Sequence, residues 1–238
     1  MSIRIDKYVE ECLHLTRKEA KELLKKKLVS VNGNIITDCG FHVNENDNIQ
    51  YKGQQLSFKK YRYYVLNKPA GLLSATEDKN AKTVLEILPD NLRKNIFPVG
   101  RLDKDTEGLL LLTNDGELSH KLLSPHKHVV KTYNCILEKP IMPGDIEKLE
   151  KGIDIGEKNN TLPAKAKIIS ENQVHLSITE GKFHQVKRMF ETLGNKVIYL
   201  ERISFGPLSL DDLGISRGEY RELSDDELNS VLLTAKSL

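Results

Sequence analysis

Between the apolar runs Ile96-Phe97-Pro98-Val99 and Leu109-Leu110-Leu111-Leu112 the chain places Gly100-Arg101-Leu102-Asp103-Lys104-Asp105-Thr106-Glu107-Gly108. Ordinary loops rarely set an Arg, two Asp, a Thr and a Gly between two hydrophobic strands. The pattern predicts a strand, a turn shaped by Asp105, Thr106 and Gly108, and a second strand. Such a turn fixes one carboxylate, Asp103, at a strand end, and a carboxylate held there by a rigid scaffold can serve as nucleophile or base. An acid/base pair of Asp103 with Asp105 is disfavoured, because side chains two residues apart point the same way only where a strand continues. The phosphate-cradling glycine loop is excluded too, since its glycine and Lys-Ser/Thr pattern is missing.

Short apolar runs punctuated by turn residues continue on both sides of this stretch. Phe58 to Leu66 alternates aromatics with bases and reads as a strand, stopped by Asn67-Lys68-Pro69-Ala70-Gly71. Helices are expected over Thr83–Leu88, Glu117–Leu123, Pro143–Lys151 and Phe183–Leu193. The third opens with proline, as first helical turns often do, and the fourth is closed by Gly194-Asn195. Strands are expected over Val129–Glu138, Ala164–Ser170, Gln173–Thr179 and Lys196–Ile203, and Ser224 caps a last helix. Many strands with scattered helices give an α+β domain around a mixed, mostly antiparallel sheet.

The first quarter of the chain has a different character. Ile5, Val9, Cys12 and Leu13 recur at helical spacing, and Thr16-Arg17-Lys18-Glu19 reads as a capping box that opens a second helix. That helix buries Ala20, Leu23 and Leu24 and presents Arg17, Lys18, Lys21 and Lys25. Asn32-Gly33 between Val29–Val31 and Asn34–Ile36 is a hairpin turn signal, and a further short strand is expected at Asn48–Tyr51. A polar break at Gly53–Ser57 follows. Two short helices and a hairpin with a basic face suit recognition of RNA shape and phosphates, with little reading of bases.

Net charge is only +2, but the segment from Leu208 onward carries −4, leaving about +6 on the preceding residues. That modest positive field favours a polyanionic partner. Lys121, His126, Lys127, His128 and Lys131 read as a basic rim for RNA phosphates. Metal binding by His126 and His128 is not expected, since no further ligands are evident. Three widely spaced cysteines without a CxxC pair fit a reducing cytosol, and no apolar run is long enough to span a bilayer.

Four segments, in order, resemble the RNA pseudouridine synthases of the branch that modifies ribosomal RNA: Leu66–Gly71, Gly100–Leu109, Lys131-Thr132-Tyr133 and Glu180-Gly181-Lys182-Phe183-His184-Gln185-Val186-Lys187-Arg188-Met189-Phe190. Residues Arg4–Tyr8, Thr16–Ala20 and Val29–Gly33 resemble the small RNA-binding domain named from ribosomal protein S-four. The resemblance implies an RNA-binding domain over residues 1–56, a linker at 57–62 and a catalytic domain over 63–238. It implies a cytoplasmic isomerase that converts a specific uridine of 16S ribosomal RNA to pseudouridine, of the type acting at position 516. The same reaction on 23S RNA, or a non-catalytic ribosomal RNA-binding or assembly factor, stays open.

Asp103, Tyr133 and Lys187 are the implied catalytic residues. Lys187 would supply the cation beside Asp103, with Arg188 as rival; many relatives carry Arg there, and Lys lacks its planar fork. Arg101, Lys68, Lys182, His184 and Arg188, with Arg17, Lys18, Lys21 and Lys25, are implied to contact RNA. The rearrangement requires no metal, redox agent or carrier, so no cofactor is expected. The implied partner is ribosomal RNA or a ribosome assembly intermediate, bound by a monomer.

Overall fold

In the computed structural model, which describes residues 2–44 and 46–236, the Thr16–Glu19 capping box forms in both directions. Thr16 Oγ1 accepts from Glu19 N at 3.3 Å and Glu19 Oε2 accepts from Thr16 N at 2.7 Å. It starts α2 (Arg17–Lys25), which follows β1 (Ile3–Arg4) and α1 (Ile5–Leu13). Ile5 and Val9 of α1 pack with Ala20 and Leu24 of α2 and with Val29, Val31 and Ile49 to make one small core. A hairpin joins β2 (Val29–Val31) to β3 (Asn34–Ile35), with Asn32 and Gly33 both at positive φ, as the tight turn requires. β4 (His42–Val43) pairs with β1, and β5 (Ile49–Tyr51) pairs with β2.

Gly53–Gln55 belongs to a hairpin and not to a break in structure. β6 (Gln54–Gln55) pairs with β5 across Lys52-Gly53, again a turn with two positive φ values. Its glutamines are exposed on both faces, which is why the sequence shows no strand pattern there. These residues, with all described residues up to Tyr61 and with Asp90–Lys94, form one compact unit; Arg62–Pro89 and the residues from Asn95 onward form the other.

The second unit is built on one sheet. Its strands are β7 (Tyr63–Lys68), β8 (Phe97–Pro98), β9 (Glu107–Thr113), β10 (Lys131–Leu137), β11 (Lys165–Ser170), β12 (Gln173–Ile178), β13 (Val197–Phe205), β14 (Leu208–Ser209) and β15 (Tyr220–Glu222). The central path runs β11-β12-β10-β13-β9-β7-β15, with β14 on β13 and β8 on β9. All described pairings are antiparallel except β13 with β9. β7 and β9 are buried at every residue, so their sequences read as continuous apolar runs.

Helices α3 (Gly116–Leu123), α4 (Pro143–Lys151), α5 (Gln185–Thr192), α6 (Leu210–Leu213) and α7 (Asp225–Lys236) complete the unit. α4 packs on β11, α5 on β13, and α3 on α7. The segment expected as a helix at Thr83–Leu88 is a single 3₁₀ turn over Val84–Ile87. Leu88 is already extended there, as the residue before Pro89 prefers. Among the described residues no helix is long and apolar enough to cross a membrane.

Candidate active site

Asp103 opens a four-residue turn in which Thr106 N donates to Asp103 O at 3.1 Å. Two clamps hold this turn. On the incoming side, Ser74 Oγ donates to Leu102 O at 2.8 Å and accepts from Leu102 N at 3.0 Å. On the outgoing side, Lys68 Nζ donates to Lys104 O at 3.2 Å and to Thr106 O at 2.7 Å, and also to Pro69 O. Gly71 N adds a bond to Lys104 O at 2.7 Å. The carboxylate thus projects from a backbone pinned on both sides by these bonds.

Lys68 is therefore not on an RNA-facing surface. It is fully buried (0% exposed), and its three donors are spent on backbone carbonyls. Burial pushes its ammonium down to about 8, against the pull of Asp105, Glu107 and Asp103. Its role is to shape the turn that carries Asp103.

The second element of the site is the start of α5. His184 adopts a left-handed conformation (φ 48°), so the helix begins at Gln185 and not at Phe183. That kink brings His184 Nε2 to 3.5 Å from Asp103 Oδ1. Lys187, one turn on, reaches Asp103 Oδ2 at 3.5 Å and both oxygens of Asp105 at 2.7 and 2.8 Å. The ammonium straddles two carboxylates, which a compact point charge can do. The shorter contact is with Asp105, and Lys187 holds that carboxyl below its usual range.

Arg188 points elsewhere. It donates to Phe183 O at 3.0 Å and pairs with Glu157 at 2.8 Å, with a further bond to Ile155 O. Neighbouring helical residues project about 100° apart, so only one of Lys187 and Arg188 can face Asp103. Lys182 is also engaged within the chain, donating to Asn159 O at 2.9 Å and Asn160 O at 3.1 Å. Arg188 and Lys182 therefore brace the loop around α5 instead of standing free for RNA.

Tyr133 comes from β10, opposite Leu176 of β12 and Arg202 of β13, on the buried face of that strand. Asp103, Tyr133, Arg101, His184 and Lys187 line one cavity of about 730 Å³. Arg101 is exposed and makes no hydrogen bond or ion pair among the described residues; Asp105 is taken by Lys187, and Glu107 by Arg217 at 2.8 Å. Phe183, 73% exposed, stacks on His184 with ring centroids 3.8 Å apart and also lines the cavity.

In the first unit, Arg17, Lys18 and Lys25 are exposed and Lys21 is half-buried. Arg17 also has a structural task. With Arg4 it flanks the buried carboxylate of Asp6, at 3.3 and 2.9 Å respectively. Burial raises the pKa of Asp6, but the two guanidiniums together outweigh it and leave the carboxyl below its usual range.

Sequence reasoning passed over Ser74 and Arg202 and placed Lys131 on an exposed rim, whereas Lys131 is buried. Ser74 carries no signal in a loop. Arg202 had one: a charged residue two positions from Leu200, inside a strand that alternates burial.

The family model described as RNA pseudouridylate synthase matches residues 62–192, and that of the S4 domain matches residues 3–49. Over 233 residues the chain is 45% identical to an uncharacterized RNA pseudouridine synthase, YtzG, of Bacillus subtilis, covering 95% of this chain and 97% of that protein. It is 40% identical over 230 residues to the ribosomal small subunit pseudouridine synthase A of Vibrio cholerae, covering 96% and 99%. To the protein of that name in Escherichia coli it is 38% identical over 232 residues, covering 97% and 100%. A crystal structure of a pseudouridylate synthase superposes with a TM-score of 0.69 at 37% identity, covering 96% of this chain and 99% of that one.

Proposed function

The chain belongs to the RNA pseudouridylate synthases, with an S4 domain ahead of the synthase domain, and from that premise we propose that it isomerises one uridine of 16S ribosomal RNA, the position-516 type, with Asp103 as the reacting carboxylate. The single observation that carries the assignment of Asp103 is its geometry. It projects from a doubly clamped turn into a cavity that also receives Tyr133, His184, Lys187 and the unpaired Arg101. Two relatives named for the small ribosomal subunit, each aligned over nearly its full length, favour 16S over 23S RNA.

The reaction must break the bond between N1 of uracil and C1′ of ribose, turn the base and join C5 to C1′. Asp103 acts either as nucleophile at C1′ or as base on the neighbouring sugar proton. Extruding the base costs a few kcal/mol, which contacts to RNA offset. Tyr133 stacks on the extruded base and Arg101 occupies the gap it leaves or grips a phosphate. The basic residues of the N-terminal domain hold structured RNA through its phosphates. The protein works as a cytoplasmic monomer on ribosomal RNA or an assembly intermediate, and residues 1–56 and 63–238 are the two functional domains.

The test is mapping of pseudouridine in 16S and 23S RNA incubated with the purified protein. A single new modification in 16S RNA supports the reading. Modification of 23S RNA alone moves the substrate, and no modification of either leaves an RNA-binding factor.

A further inference from the structure

Two cations lie on the buried face of the sheet at the same cavity, and among the described residues no carboxylate comes within ion-pair distance of either, Glu180 acting on Lys131 only from farther off. Lys131 is 7% exposed and Arg202 3%. Arg202 Nε donates to Leu109 O at 2.8 Å, while its Nη2 is buried without a hydrogen-bond partner. Lys131 Nζ makes no hydrogen bond or ion pair among the described residues. Both flank the ring of Phe205, at 5.9 Å for Lys131 and 5.1 Å for Arg202. Both line the cavity that holds Asp103 and Tyr133.

A fault in the sheet brings them together. Along β10 and β13, Lys131 faces Phe205 and Thr132 faces Ser204, but Tyr133 faces Arg202, so Ile203 is an extra residue. This β-bulge turns Arg202 to the face already occupied by Lys131, Tyr133 and Phe205. Without it, residues 202 and 205, three apart, would point to opposite faces. Burying two like charges side by side is unfavourable without an anion to join them. Burial and the neighbouring Arg202 push the Lys131 ammonium down to about 8, against the pull of Glu180. Groups perturbed in this way collect where chemistry needs them.

We propose that Lys131 and Arg202 hold the negative charge of the uracil ring while it is detached from its ribose. The inference rests on the reading of the chain as a pseudouridine synthase. When the N1–C1′ bond breaks, the electron pair stays with the base, whose charge spreads over N1, O2 and O4. This holds on both routes, whether C1′ is left as an ester of Asp103 or as an unsaturated sugar after loss of its neighbouring proton. The C5–C1′ bond then forms as the ester bond from C1′ to Asp103 breaks, or as the abstracted proton returns to C2′ of the unsaturated sugar; the C5 proton leaves and N1 takes up a proton. Fixed cations aimed at developing charge in a site shielded from water lower the barrier to its formation. A phosphate is the rival anion, but the RNA backbone is met by side chains at the surface. The base is the part of the nucleotide that enters a pocket.

The test uses the full chain carrying Lys131→Met, Arg202→Met or Lys131→Arg, and an RNA that the wild type modifies. Single-turnover rate at saturating RNA, RNA affinity and thermal midpoint are measured together. The Met variants are expected to lose about 100-fold or more in rate, with affinity held within about threefold. Lys131→Arg, which keeps the charge, is expected to retain most of the rate. The thermal midpoint of Lys131→Met is expected to rise, because a buried like-charge neighbour of Arg202 is gone. A wild-type rate in Lys131→Met overturns the proposal. So does a loss that appears wholly in RNA affinity, as a phosphate clamp would give, or a Lys131→Met chain that is less stable or does not fold. If the wild type itself modifies no ribosomal RNA, the synthase reading falls and this proposal with it; an active wild type beside an active Lys131→Met removes this proposal alone.

Discussion

Gly108 of β9 lies directly against the backbone of Arg202 of β13 at the parallel pairing of the two strands. A Cβ added to Gly108 would overlap the Arg202 carbonyl oxygen and stand 2.7 Å from its nitrogen. The turn that carries Asp103 therefore ends where the bulged strand carrying Arg202 passes. One glycine lets the two halves of the site share a wall.

Gly108→Ala meets both that overlap and a φ of +100°, a conformation L side chains rarely adopt. It is expected to cost about 3 kcal/mol or more, since the obstacle is backbone and cannot rotate away. Urea unfolding checks this. A loss below about 1 kcal/mol would mean that β9 and β13 separate easily.

Lys68→Met removes one ammonium and takes its donor from the carbonyls of Pro69, Lys104 and Thr106, of which Lys104 O keeps its bond from Gly71 N. Stability is expected to fall by about 2–3 kcal/mol, with activity falling further because the Asp103 turn loosens. The pH dependence has a definite sign. The folded pKa values of Lys68 and Lys131, each about 8, lie below the ordinary value of 10.5. Between those values the unfolded chain binds more protons, so both groups make stability rise with pH through that interval. Thermal midpoints of wild type and of Lys68→Met at pH 7 to 10 are the check, with a shallower rise in the variant.

Lys187→Arg and Lys187→Met separate charge from shape. The ammonium bridges Asp103 at 3.5 Å and Asp105 at 2.7 Å. Lys187→Met is expected to lower the rate by roughly 100-fold, while Lys187→Arg retains most of it. Asp105→Asn is expected to have the smaller effect, because it frees Lys187 to move toward Asp103. Single-turnover rates on the modified RNA decide.

In the N-terminal domain, Lys18→Ala and Lys25→Ala are expected to weaken RNA binding across sequences. Each would reduce the slope of log affinity against log salt by about 0.7–0.9. Asp6→Asn acts differently, through stability. Its folded pKa is depressed, so its contribution is present above the ordinary carboxylate range and is lost as pH falls through the folded value. Asp6→Asn should flatten the acid limb of a melting-temperature profile.

The sequence made the longer strands, the two N-terminal helices and the existence of the turn at Asp103 legible because each follows local chemistry: capping at Thr16, the Asn32-Gly33 turn, apolar runs at β7 and β9; the short strands β1, β4, β14 and β15 carried no such signal, and Gly108, expected in the turn, lies inside β9. What it hid depends on chain crossings. The hairpin at Gln54–Gln55 is polar on both faces and shows no period. Lys68 looks like any basic residue before a Pro-Ala-Gly stop, and only the fold reveals that three carbonyls surround it. Arg202 joins Lys131 through a bulge, which alternation in a single strand cannot disclose. The choice between Lys187 and Arg188 likewise required the left-handed start at His184.

The central claim is that Asp103 performs the chemistry. Tritium release from 16S RNA labelled at C5 of uridine, compared between wild type and Asp103→Asn with RNA binding measured in parallel, tests it most directly. The account requires release by the wild type, none by Asp103→Asn, and equal RNA affinity for both. Release by Asp103→Asn at the wild-type rate would contradict it.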